Sequence, residues 1–146
     1  MEKAANNVPA QQDRKIQLSA DGEGTLKSVG GSRFDEFVNV CVADAIGNSQ
    51  WLKHKSPERQ AEITQAALCG VVGIAPRDEI EGLLATHMMM VHAASTECYR
   101  RAMLPEQPVE GRRSNLLLAN KLTRTMTVLV ESLARDRKST RLNSSH

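Results

Sequence analysis

Aromatic side chains are scarce in this 146-residue chain, which has two Phe, one Tyr and one Trp. A core without large rings must be assembled from Leu, Val, Ala, Ile and Met, and a hydrophobic content of 40% is enough for a modest one in a single domain. That composition points to helices packed on helices. Cysteine is scarce too. Cys41, Cys69 and Cys98 are odd in number, widely spaced and each set in an apolar stretch, which argues against a disulfide framework and reads as reduced core thiols in a reducing compartment. Long hydrophobic runs are missing altogether. The opening residues Met1 to Asn7 lack the apolar centre of a secretory signal, and no window approaches the roughly 18 apolar residues of a membrane span. The expectation is a cytoplasmic protein with no membrane partner.

Net charge is the last scarcity. Lys and Arg number 19 against 17 Asp and Glu, and the small excess comes from the final eleven residues. Asp136 to His146 read, residue for residue, as the translation of a common sequencing adapter, so residues 136–146 are expected to be a non-native tail with no part in the fold. Without Asp136, Arg137, Lys138 and Arg141 the remainder is formally neutral, which removes the global electrostatic argument for nucleic acid or an anionic membrane.

Residues 1–31 are rich in Asn, Gln, Ser, Gly, Asp and Lys, with Ile16, Leu18, Leu26 and Val29 at no useful period; a disordered arm is expected. Residues 32–135 form the expected helical domain. Ser32 can cap a first helix over about 33–46, with Phe34, Phe37, Val38, Cys41, Val42, Ala45 and Ile46 at helical spacing until Gly47-Asn48. Ser56-Pro57-Glu58 supplies a cap, a proline at the first helical position and an early acid for a second helix over 57–73. Ala75-Pro76-Arg77-Asp78-Glu79 opens a third over 77–103, whose Ile80, Leu84, His87, Val91, Ala94, Cys98 and Ala102 step by three and four. After Leu104-Pro105-Glu106-Gln107-Pro108, a fourth over 110–135 carries Leu118, Leu122, Met126, Leu129 and Leu133 on one face. The fold class is all-α, a small bundle dominated by a long antiparallel αα-hairpin. Asp78, Glu79 and Glu81 at the start of the third helix are expected to face Lys121, Arg124 and Arg135 of the fourth.

Phe34-Asp35-Glu36-Phe37, Ala75-Pro76-Arg77-Asp78, Met88-Met89-Met90-Val91-His92, Cys98-Tyr99-Arg100-Arg101-Ala102 and Asn120-Lys121-Leu122-Thr123-Arg124-Thr125 resemble a family of uncharacterised proteobacterial helical proteins sometimes found near mobile elements. The resemblance spans residues 33 to 135. It implies a bacterial helical protein, brings no catalytic residue, and implies a further Gly-rich end that this chain lacks.

Few residues offer chemistry. His87 and His92 lie about 140° apart around a helix, which is poor geometry for one metal, and Met88 to Val91 separate them where a zinc-hydrolase motif needs an acid. Cys98 shares a face with His87 but lies about 16 Å along the axis. A metal or enzymatic site around His87, His92, Glu97 and Cys98 is therefore disfavoured. Met88, Met89 and Met90 point three ways and read as core and helix interface. Arg100, Arg101, Arg112 and Arg113 should cluster at the hairpin tip, where guanidinium groups could take an anion or nucleic acid, although Glu97, Glu106 and Glu110 are close enough to neutralise them. Lys53-His54-Lys55 beside Trp51 is a weaker basic spot. No phosphate loop, paired-Cys motif or nucleophile elbow is present.

These features predict a non-catalytic interaction or oligomerisation module without a cofactor, using Leu118, Leu122, Met126 and Leu129 for self-association or a protein partner. The alternative is a nucleic-acid accessory protein acting through the Arg tip.

Overall fold

The computed structural model describes residues 27–49 and 55–145. Within them the regular structure is helical: α1 (Lys27–Gly30), α2 (Asp35–Phe37), a π-helical stretch (Val38–Asp44), α3 (Ala45–Ser49), α4 (Pro57–Ile74), α5 (Glu79–Ala102) and α6 (Val109–Ser144). The all-α class and the dominant hairpin are as expected. Of the proposed disordered arm, residues 1–26 lie outside the described residues, and the remainder departs from the expectation. Lys27–Gly30 makes a helical turn, and Gly30, Gly31 and Ser32 are buried. Val29 is its one apolar side chain and packs against the core; the rest of the contact is made by backbone, since a Cβ on Gly30 would lie 2.9 Å from Val38 Cγ2, and one on Gly82 of α5 would collide with the Gly30 carbonyl oxygen. Gly31 has φ +77°, a left-handed conformation that favours glycine.

The first expected helix is present but interrupted, with π geometry from Val38 to Asp44 between two short α segments. Apolar spacing does not reveal a change of hydrogen-bond register. Val38, Val42 and Ile46 are fully buried and join Val71 of α4 and Ala85 of α5 in the main core. Ser32 does not cap this helix as expected. Its hydroxyl accepts from Phe34 N at 3.0 Å and donates to Glu79 Oε1 at 2.9 Å, tying the turn to the start of α5.

The two later helix starts follow their caps. Ser56 Oγ accepts from Arg59 N at 3.2 Å, with Pro57 at the first helical position. Asp78 Oδ1 accepts from Glu81 N at 2.9 Å, so α5 begins at Glu79 and Pro76 and Arg77 stay in the connection. α4 stops at Ile74 because Pro76 disfavours right-handed helical backbone at Ala75, which takes φ 54° and ψ 61° instead.

α5 is the central helix. α6 packs along one side of it, and α1, the π-helical stretch, α3 and α4 pack against it elsewhere. The hairpin is antiparallel. Near the loop, Arg112 Nε donates to Ala102 O at 3.0 Å; further along, Tyr99 Oη lies 3.4 Å from Thr123 Oγ1; at the far end, Arg137 reaches Glu81. On α6 the least exposed positions of the seam, Ala119, Leu122, Met126, Leu129 and Leu133, repeat by three and four. On α5, Leu84, Val91, Ala94 and Cys98 are half-buried and Ala102 is buried, but Ile80 is 59% exposed and His87 is exposed. Cysteines also depart from the expected core placement: Cys41 and Cys98 are half-buried and Cys69 is exposed, all three free.

The adapter-like segment is not inert in this fold. Residues 136–144 continue α6, and Arg137 Nη2 donates to Ile74 O at 2.7 Å, Ala75 O at 3.1 Å and Glu81 Oε2 at 3.2 Å. The charge pairing across the hairpin accordingly falls on Glu81 and Arg137. Lys121 and Arg124 form no ion pair among the described residues, and Arg135 reaches Ser132.

Candidate functional site

The arginines at the hairpin tip are brought together, but three of the four already have work inside the chain. Arg100 grips Glu97 with two hydrogen bonds, Nε at 2.8 Å and Nη2 at 2.7 Å, and Arg101 Nε adds a third at 2.9 Å. The Arg100 hydrogen bonds, opposed by partial burial and reinforced by Arg101, hold the Glu97 carboxyl down to about 2. Arg112 satisfies the end of α5, donating to Ala102 O and, at 3.3 Å, to Leu104 O. Arg113 is exposed and has no hydrogen bond or ion pair among the described residues. It lines a shallow hollow with Tyr99, Val109, Leu116, Leu117 and Asn120. Glu106 and Glu110, expected to neutralise the tip, stay exposed without an ion pair among the described residues.

The face proposed for a partner divides in two. Leu122, Met126 and Leu129 are half-buried in the seam with α5, while Leu118 is 50% exposed. Accessible apolar side chains of α6 lie elsewhere, at Val109, Leu116, Leu117, Val128 and Val130. His87 and His92 are both exposed and Cys98 is half-buried. No group of three His, Cys, Asp or Glu among the described residues could hold a metal ion. Met88 is buried and Met89 and Met90 are half-buried, matching the reading of that triplet as core and interface. Trp51, Lys53 and His54 lie outside the described residues.

One feature was not foreseen. Between α4 and α5 runs a groove of about 640 Å³, within the usual size range of ligand sites. Ile63, Ala66 and Ala67 come from α4, and Met89, Ala93 and Thr96 from α5; Lys55, Arg59, His92, Glu97 and Arg100 complete the lining. It escapes sequence reasoning because it is a gap between two helices whose relative angle no local pattern encodes. The only advance signal was α4's alanine content, which leaves little side-chain volume to fill the space.

Among the described residues no helix is long and apolar enough to cross a membrane. Comparisons with protein-family models, curated proteins and solved structures find no match to this chain.

Proposed function

We propose that this chain is a non-catalytic helical interaction module that associates with a second copy of itself through the outer face of α6. The observation that carries the reading is the isolation of that helix. Among the described residues α6 packs along α5 and along no other helix, yet Val109 is 81%, Leu117 53%, Leu118 50% and Val128 55% exposed. Leu116, Leu117 and Leu118 are consecutive and all exposed, and apolar side chains that gather at a surface in this way mark places covered in use. α6 itself carries eight Lys and Arg against three Asp and Glu, so pairing like with like requires these long side chains to reach solvent at the rim of the interface. Three free thiols fit a reducing, cytoplasmic setting.

Sedimentation over about 1 to 100 µM tests the proposal directly, a range suited to weak and moderate dimers. The native chain should pass from monomer to dimer, and Leu117→Glu/Val128→Glu, at exposed positions, should remain monomeric with unchanged helicity. A native monomer throughout that range would remove self-association and leave a different protein as the partner. The nucleic-acid reading is less well supported, since only Arg113 of the four tip arginines is unengaged.

A further inference from the structure

The groove between α4 and α5 has a direction. At its closed end the helices are held together by Val71 and Ala85 in the main core. Just beside them Gly70 admits Met89 so closely that a Cβ there would lie 2.5 Å from its sulfur. From this apex the α4 wall runs through Ala66 and Ile63 to Arg59 and then Lys55, while the α5 wall runs through Ala93 and Thr96 to Arg100. The lining therefore changes from thioether and methyl groups to cations. From Met89 to Arg100 the α5 wall extends about 16 Å at about 1.5 Å per residue.

We propose that this groove binds a linear amphipathic carboxylate, its hydrocarbon chain along the apolar floor and its head group at the Lys55–Arg59 mouth. The charge at the mouth selects the head group. Arg100 and Glu97 of the lining there neutralise one another through two hydrogen bonds, which leaves Lys55 and Arg59 to meet the head group. The Lys55 ammonium has no side-chain partner among the described residues. Arg59 is paired with Glu62 at 2.7 Å, with both side chains over 60% exposed, and such surface pairs are weak enough for Arg59 to turn toward an incoming carboxylate. The floor selects the tail, because methyl and thioether walls offer a short anion nothing to hold. The site lies on the α4 side of α5, away from the α6 surface invoked for self-association, and it stands or falls independently.

Dodecanoate below its micellar concentration is the probe, followed by titration calorimetry beside two controls, dodecyltrimethylammonium with the same tail and butyrate with the same head. Dodecanoate should bind one to one, the cationic amphiphile at least about tenfold more weakly, and butyrate without detectable heat. Lys55→Glu/Arg59→Glu, both at exposed positions, should weaken dodecanoate by at least about tenfold, and Ala66→Trp, which fills the floor from an exposed position, should abolish binding. Circular dichroism verifies that each variant keeps its helicity; should Ala66→Trp unfold, the charge reversal still decides. Equal binding of the two amphiphiles, or indifference of dodecanoate to the charge reversal, would overturn the proposal. So would an acidic amphipathic peptide that occupies the groove more tightly than dodecanoate, because it would make the groove a protein-docking site.

Discussion

Glu81 shows how one carboxylate can organise several elements. Its side chain is fully buried at the start of α5 and accepts from Arg77 N at 2.9 Å, Arg77 Nη2 at 2.6 Å and Arg137 Nη2 at 3.2 Å. Burial by itself would raise its pKa, but hydrogen bonds from the Arg77 and Arg137 side chains and from the Arg77 amide outweigh it and hold the group at about 2. A carboxylate whose folded pKa is depressed stabilises the fold above its unfolded pKa and loses that contribution as the pH falls through the folded value. The window here runs from about pH 4.5 down to about 2. Glu81→Gln should therefore cost about 1–3 kcal/mol at neutral pH, with the gap to the native chain closing in urea melts near pH 2. Part of the native acid loss should survive in the variant, since Glu97 is depressed to about 2 as well. An unchanged gap between pH 7 and pH 2 would show that the pairing carries no net stability. The sequence displays Glu81 as one of several acids in a first helical turn, and only the third dimension separates it from Glu79, whose carboxylate bonds Ser32.

At the scale of elements, signals that lie within a few residues were readable. Ser56-Pro57 and Asp78 mark helix starts by local side-chain bonds, and the Leu122, Met126, Leu129 and Leu133 period marks the seam by volume. α5 was harder because it is packed on two sides. Its second packed face uses Gly82, Ala85 and Met89, and small residues that permit close approach contribute little to an apolar stripe. The same reason hides α1. A contact far apart in sequence was equally illegible: Arg137 lies 56 residues from Glu81 and 63 from Ile74. Arg137→Ala removes charge-assisted bonds to Glu81 and to two carbonyls at the end of α4, so a loss of about 1–2 kcal/mol is expected, seen as a melting temperature lower by several degrees. Deleting residues 136–146 should reproduce the loss. Melting curves that superimpose on the native one would restore the view of this segment as a passive extension of α6.

For the whole molecule, the distribution of charge decides more than its sum. The 19 basic and 17 acidic residues leave a weak global field, and three of the four arginines at the hairpin tip are consumed locally by Glu97 and by the end of α5. Arg113, Lys121 and Arg124 of α6 form no ion pair among the described residues, and three such cations give only weak binding, because affinity for nucleic acid grows with the number of phosphates neutralised and fields beyond about 8 Å are screened at physiological salt. The mouth of the α4–α5 groove adds Lys55 and Arg59 but pairs them with an apolar floor containing no aromatic ring on which a base could stack. Binding to single- or double-stranded DNA or RNA at about 150 mM salt should therefore be undetectable at low micromolar protein, and any residual binding at low salt should fall with a shallow salt slope. Fluorescence anisotropy with labelled oligonucleotides, on the native chain and on Arg112→Glu/Arg113→Glu, measures this. Submicromolar binding lost in the double variant would mean that the arginines leave their internal partners for phosphate, and would displace self-association as the leading reading of the hairpin.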